Sequence, residues 1–580
     1  MENFFIRIIT AIWLAFMTLI NSFTGVGTMK VNPAQINGSL VCTDALGRSI
    51  VTAGESEKLV GVFYFLWHGQ HGSNRIIDNS KLVKEHPEAI NSEENWFNAG
   101  GGDINEFHYW GEPLLGYYSA NDEWVYRKHL QMLTDASVDF IVLDTTNAFT
   151  YNEPVKKLIS VWYEYMLQGY NVPKIAYYTN SGSAQTINRI YDEIYNNAEL
   201  KEKYPELDKL WFYMDGKPMI IGNENEGEIR PEVKEYFRIK TSQWPNETKR
   251  KDGFPWMEFD RSLTYKSFFK NDGVSVMNVS VAQHSDTCAF SKTAWYGAND
   301  RTRSWHDGKN DLSPDAILHG YNFAEQWDFA IKMNPDIIFI TGFNEWVAQR
   351  QQPEEKYPIV FVDCADENNS RDVEPSAGVL GDNYYMQMVY YIAKFKGTTA
   401  KLERSENITI DIDGAFSQWD SNKITSVYKD YAGDIADRNS VDFAGNPITD
   451  NSGRNDIVNM KVASDDDNFY FYVDTANALT SPDGGNWMTL FINEDVIINR
   501  TTPNGNKTSV EKCENGIFTK VGEVEIRFED NKLMLSVSKN LIENSDSISF
   551  KWADNYREDD VYSFYTSGDA APYGRLCYSY

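Results

Sequence analysis

Cysteine is scarce in this chain. Its 580 residues hold five, at positions 42, 288, 364, 513 and 577. None forms a Cys-x-x-Cys pair or a Cys/His cluster, which excludes a structural zinc site of the usual spacing. Cys288 and Cys364 both fall near strand-like ends, where a disulfide and two buried thiols are both open readings. Positive charge is also short: 54 Lys and Arg face 84 Asp and Glu, for a net charge of −30. A surface of that sign repels nucleic acid and anionic membranes, so no nucleic-acid partner is expected. After an N-terminal run no segment is long and apolar enough to span a membrane. The serine-nucleophile elbow Gly-x-Ser-x-Gly and the zinc-protease motif His-Glu-x-x-His do not occur, and no metal is expected to take part in catalysis.

Aromatic residues are abundant instead, with 16 Trp, 34 Tyr and 32 Phe. That load excludes a disordered chain, and it serves both packing and the stacking of sugar rings. The N-terminus places Arg7 before an almost wholly apolar stretch, Ile8 to Ile20, followed by Asn21-Ser22-Phe23-Thr24-Gly25. This is the pattern of a signal peptide over residues 1–28, with cleavage near 22–28 and a secreted, cell-surface or periplasmic destination. An uncleaved anchor is the alternative.

Residues 29–57 read as a loose lead-in. From Leu59 onward apolar runs of strand length alternate with helical spacings. The runs are Leu59–Trp67, Phe140–Asp144, Lys174–Thr179, Pro218–Gly222, Tyr236–Ser242, Val274–Gln283, Ile337–Gly342 and Ile359–Asp363. Eight such runs with helices between them predict a (β/α)8 TIM-like barrel over residues 58–400. A doubly wound sheet is the rival, but bulky Trp67-His68-Gly69-Gln70-His71-Gly72 stands where its phosphate loop would be. The first loop, from His68 to about Trp124, is long and aromatic and reads as a wall of a cleft. Beyond about residue 400 short alternating runs and turn clusters predict an all-β sandwich over residues 401–580.

The most informative stretch is Thr341-Gly342-Phe343-Asn344-Glu345-Trp346, behind the apolar run Asp336-Ile337-Ile338-Phe339-Ile340. A carboxylate, an amide and an indole just past a barrel strand occupy the face where such barrels do their chemistry. Desolvation by Trp346 would raise the pKa of Glu345, as a general acid needs. Asp144 closes another strand, and two carboxylates across a barrel mouth are what glycoside hydrolysis uses. Asp144 also reads as a helix cap or loop brace. Trp67 and His68 end the first strand, and Asn147 follows Asp144; each suits a sugar subsite as well as packing. Val281-Ala282-Gln283-His284-Ser285-Asp286 adds His284 as a hydroxyl ligand and Asp286 as a reserve carboxylate. Ser370-Arg371-Asp372-Val373-Glu374-Pro375 reads as an Arg–carboxylate brace.

These residues carry a family likeness. Val62-Phe63-Tyr64-Phe65-Leu66-Trp67-His68, Gly320-Tyr321-Asn322-Phe323-Ala324-Glu325-Gln326-Trp327 and above all Gly342-Phe343-Asn344-Glu345-Trp346 resemble bacterial proteins related to glycoside hydrolase families 71 and 99. The resemblance implies a barrel acting on α-glucans or α-mannosides through carboxylates, with a polysaccharide or oligosaccharide as partner. In family 99 the motif continues Asn-Glu-Trp-His-Glu and both glutamates are implicated in catalysis. Here Glu345 matches the first, and Ala348 stands at the second. The second carboxylate is therefore expected from Asp144, with Asp286 or Glu258 next, and Asn344, His68, His284 and Trp346 are expected to hold the sugar. The C-terminal region resembles family 9 type carbohydrate-binding modules in Ile412-Asp413-Gly414-Ala415-Phe416-Ser417-Gln418-Trp419 and Trp487-Met488-Thr489-Leu490-Phe491-Ile492. That likeness implies a structural calcium, for which Asp413 and Asp465–Asp467 are the residues at hand. Glycan capture without cleavage, and a lyase or esterase, are the rival functions.

Overall fold

The computed structural model describes residues 40–69, 75–245, 247–248, 250, 252–257, 274–283, 291–292, 295–297, 301–398, 404–514, 516–542, 547–558 and 560–580. The expected signal segment, Glu258, His284, Asp286 and Cys288 lie outside these residues.

Eight parallel strands build the N-terminal part: β1 (Leu59–Tyr64), β2 (Phe140–Thr145), β3 (Lys174–Thr179), β4 (Lys217–Gly222), β5 (Arg238–Gln243), β6 (Gly253–Pro255), β7 (Val276–Ser280) and β8 (Ile337–Thr341). Their neighbour order is β6-β5-β4-β3-β2-β1-β8-β7. Because β8 pairs with β1, Ile337 opposite Leu59, the sheet curls round on itself and lacks a ladder only between β6 and β7. This is the strand order of a (β/α)8 barrel.

The two-residue period of the strands sorts their side chains into two cores. Phe63, Phe140, Val142, Ala176, Tyr178, Met219, Ile221, Phe254 and Phe339 fill the barrel. Val62, Ile141, Leu143, Tyr177, Ile220, Val279 and Ile340 face outward into the layer shared with the helices. Gly61 belongs to this packing, since any Cβ there would overlap the Phe140 ring.

Seven of the expected strands are present. The eighth, Ile359–Asp363, is not a barrel strand: Val360–Phe361 pairs antiparallel with Val347–Gln351 above the barrel. Its place is taken by β6, three residues ending in Pro255. A segment that short has no hydrophobic period to read.

The helices that matter for the site are α1 (Glu123–Asp135), α2 (Asn152–Leu167), α3 (Ser183–Ile190), α4 (Tyr321–Met333) and α5 (Asn383–Lys396). Asp122 caps α1, accepting the Trp124 amide at 3.1 Å, which satisfies one orphan donor of the first turn. The long first loop is packed. Its strand Phe107–Tyr109 pairs antiparallel with Val347–Gln351, and Trp96 and Trp110 are fully buried.

Eleven strands beyond the barrel and two before it make one continuous antiparallel sheet of thirteen, folded into two layers. The long strand Ile517–Glu529 turns the corner, pairing first with Lys507–Glu514 and then with Lys532–Ser538. Phe471 of one layer meets Phe550 of the other at 5.6 Å between ring centroids. Trp487 and Trp552 are buried core residues. Residues 40–51, expected as a loose lead-in, form a hairpin whose Leu40–Thr43 strand pairs with Cys577–Ser579 at the other end of the chain. Among the described residues no helix is long and apolar enough to cross a membrane.

Candidate functional site

Gly342 takes the chain out of β8 with φ of +99°, and a Cβ there would come within 2.9 Å of the Arg371 carbonyl. Only glycine fits that turn without strain. It lets the next four residues lie across the C-terminal mouth of the barrel, tied down by the Phe343 amide donating to the Phe63 carbonyl at 2.9 Å.

Asn344 is a brace. Its Oδ1 accepts from the Phe65 amide at 2.8 Å and its Nδ2 donates to the Phe65 carbonyl at 3.1 Å, so β8 and β1 are locked in register above the barrel. Trp346, expected against a sugar, is fully buried and stacks on Trp110 with centroids 4.4 Å apart. Its Nε1 donates to Glu374, which also accepts from Tyr118 at 2.8 Å and pairs with His129 at 2.9 Å. These contacts make Trp346 a framework residue with no ring face open to solvent.

Glu345 is 4% exposed. Arg371 Nη2 donates to its Oε2, and the Glu345 amide donates to Asp372 Oδ1. Arg371 also lies 3.5 Å from Asp363, and its guanidinium sits 5.0 Å from the Trp256 ring centroid. Burial pushes the Glu345 carboxyl well above the usual carboxylate range. The Arg371 charge opposes that shift, and Asp363, Asp372 and Asp144 reinforce it. Asp144 is pushed up to about 6, chiefly by burial, against the pull of a 3.0 Å bond from the Thr146 amide. Burial likewise lifts Asp372 to about 6 and raises Asp363. Arg371 does not offset the burial of this set, so all four carboxyls hold their protons to higher pH than exposed ones do, Glu345 most strongly.

The other expected residues divide by access. Trp67 is half-buried, edge-on to Phe107 at 5.5 Å. Asn147 is exposed beside Asp144, its Nδ2 donating to the Tyr151 hydroxyl at 3.1 Å. His68 is 1% exposed, and burial pushes its pKa down to about 3, so it is neutral. Trp244, half-buried at the end of β5, packs on Trp256 with centroids 4.6 Å apart.

The structure thus brings Glu345 and Asp144 into one field and adds Arg371, Asp363 and Asp372. Sequence reasoning read 370–375 as a brace but did not connect it to Glu345. The available signal was Arg371 set among acids in a loop, and chain separation hid its partner. Trp244 and Trp256 were missed because their strands are short or irregular.

The departure at Ala348 also has a structural counterpart. Ala348 lies in the strand Val347–Gln351 opposite His108 and is 1% exposed, in the apolar layer. That strand holds the first loop over the barrel, and its position 348 has no open cleft in front of it.

No protein-family model matches the chain, and no curated protein does. Among solved structures it is similar to the GH99 endo-alpha-mannosidase from Bacteroides thetaiotaomicron, with a TM-score of 0.36 and 14% identity over 59% of this chain and 98% of that one. A structure of the GH99 endo-alpha-mannosidase from the same organism in complex with bis-tris-propane gives a TM-score of 0.35 and 15% identity, over 59% of this chain and 99% of that one. Similarity of this size is weak, and the barrel assignment stands on the strand order itself.

Proposed function

We propose that this chain is a glycoside hydrolase that cleaves a polysaccharide or oligosaccharide by carboxylate acid–base catalysis. The observation that carries the reading is the convergence of Asp144, Glu345, Asp363 and Asp372 on Arg371 at the C-terminal mouth of the barrel. In this reading Glu345, whose carboxyl burial holds well above the usual carboxylate range, protonates the leaving oxygen. Arg371 orients that carboxyl, and Asp144, ionised above its pKa of about 6, supplies the opposing carboxylate that activates water or attacks the sugar. Trp67 and Trp244 offer partly open rings for stacking, and Asn147 offers an amide for a hydroxyl. The sugar-binding role expected of Asn344 and Trp346 is replaced by positioning: both hold the Glu345 backbone in place.

The Arg371–Glu345 pair also favours a second reading, glycan capture without cleavage, since a buried ion pair is a structural device as often as a catalytic one. One experiment separates the two. A panel of α-mannans, α-1,3-glucans and related oligosaccharides is incubated with the parent chain and with D144N and E345Q, and products are resolved by chromatography. Hydrolysis is expected from the parent and a loss of at least about 100-fold from each variant. Binding without product from any bound glycan selects capture, and turnover unchanged in E345Q removes Glu345 from the mechanism.

A further inference from the structure

The C-terminal sandwich carries a second cluster of acids, far in sequence from the barrel mouth. Asp430 and Asp434 lie just after the strand Val427–Lys429, and Asp569 begins the strand Asp569–Ala571. One carboxylate oxygen from each lies within 4.8 Å of the others. The three residues are at most 2% exposed, so solvent does not screen them from one another.

A crowd of acids is not a site by itself, but donors are short around these three. Asp434 Oδ2 accepts from Gln131 at 3.0 Å with Lys128 Nζ 3.6 Å away, and Asp569 Oδ2 accepts from the Ile457 amide at 2.7 Å. The nearby buried ammonium of Lys551 donates to the Pro572 carbonyl. Asp430 Oδ2, Asp434 Oδ1 and Asp569 Oδ1 meet no N–H or O–H donor at all. Three buried carboxylate oxygens without donors are costly unless something positive lies between them. Oxygen-to-cation distances of about 2.3–2.6 Å suit oxygens spaced this way, and an all-oxygen set selects a hard ion.

We propose that Asp430, Asp434 and Asp569 bind a divalent hard cation, calcium by preference, that holds in place the loop by which the sandwich docks on the barrel. The loop in question touches the barrel. Tyr431 stacks on Tyr170 at 4.0 Å and donates to Asp135 at 2.9 Å, and Asp434 meets Gln131 on α1. An ion joining residues 430 and 434 to strand Asp569–Ala571 therefore stiffens the docking loop against its own domain. The acids expected from sequence are set differently. Asp465 accepts from Thr409 at 2.8 Å and from the Asn468 amide at 2.8 Å, and Asp413 is exposed.

The test uses the full chain. Thermal unfolding is recorded after dialysis in EDTA, and then with 1 mM-scale CaCl2 or MgCl2, alongside metal content by mass spectrometry of protein purified without chelator. Calcium is expected to raise Tm by several degrees, magnesium by less, and EDTA to reverse both. D434N/D569N is expected to lose the calcium shift and D465N to keep it. If the double variant does not fold, D569N alone carries the same comparison. The proposal falls if neither salt moves Tm and no metal copurifies, or if the shift survives in D434N/D569N or, where that variant does not fold, in D569N.

Discussion

At the scale of single residues the site is organised around Arg371. Removing one partner from a buried ion pair leaves the other uncompensated, and here Glu345, Asp363 and Asp372 would be left behind. Arg371→Met is therefore expected to cost about 3–5 kcal/mol in chemical unfolding at neutral pH, with a smaller loss at pH 4, where the acids can be protonated. An equal loss at both pH values would contradict this account. Asp144 gives a second prediction. Its pKa is about 6 in the folded chain against an ordinary 3.8, so between those values the folded state holds a proton that the unfolded state has released. Stability therefore falls as pH rises through that window and is flat above it. The loss amounts to about 3 kcal/mol. Asp144→Asn removes the titration, so the variant should be more stable than its parent in urea at pH 8 and no more stable at pH 4, while losing turnover. A variant less stable than the parent at pH 8 would show that Asp144 is held for packing instead.

At the scale of elements, the strand Val347–Gln351 explains both what was legible in the sequence and what was not. Long apolar runs such as Ile337–Thr341 announce barrel strands, because burial on both faces leaves little alternation. The same rule misreads Ile359–Asp363, where an apolar run is buried above the barrel by a two-residue pairing. It also passes over Gly253–Pro255, which is held by its neighbours rather than by its own pattern. The motif around Glu345 was legible because it is contiguous. Arg371 and Asp372 read as a brace on their own, but their partnership with Glu345 and Asp363 was not legible, because long-range pairing leaves no local signal. The strand also accounts for Ala348: with His108 opposite and apolar neighbours around it, position 348 is a core position. Ala348→Glu is accordingly expected to destabilise the chain by at least about 3 kcal/mol, as an unpaired buried carboxylate does. It should add no activity; a stable A348E with higher turnover would mean that the strand can open.

At the scale of the whole molecule, barrel and sandwich share their burial. Eleven residues of α1 are buried, among them Lys128, Gln131 and Asp135, which an exposed barrel helix would present to water. The sandwich covers them: Arg438 pairs with Asp122 at 2.8 Å, Tyr431 with Asp135, and Arg575 holds Asp382 at the start of α5 through two bonds of 2.9 and 3.1 Å. The hairpin at 40–51 precedes the barrel in sequence yet belongs to the sandwich sheet, so the chain both enters and leaves the barrel through the other unit. Two parts joined in this way cannot separate without stripping partners from buried charges, which is the costly direction for such pairs. Calorimetry of the full chain should therefore show one cooperative transition, and residues 58–400 expressed alone should aggregate or lose near-ultraviolet dichroism. Two well-separated transitions, with the lower one matching an isolated and soluble barrel, would instead mean that the interface adds little. In that case the buried face of α1 would have to be stable in water, against the charge it carries.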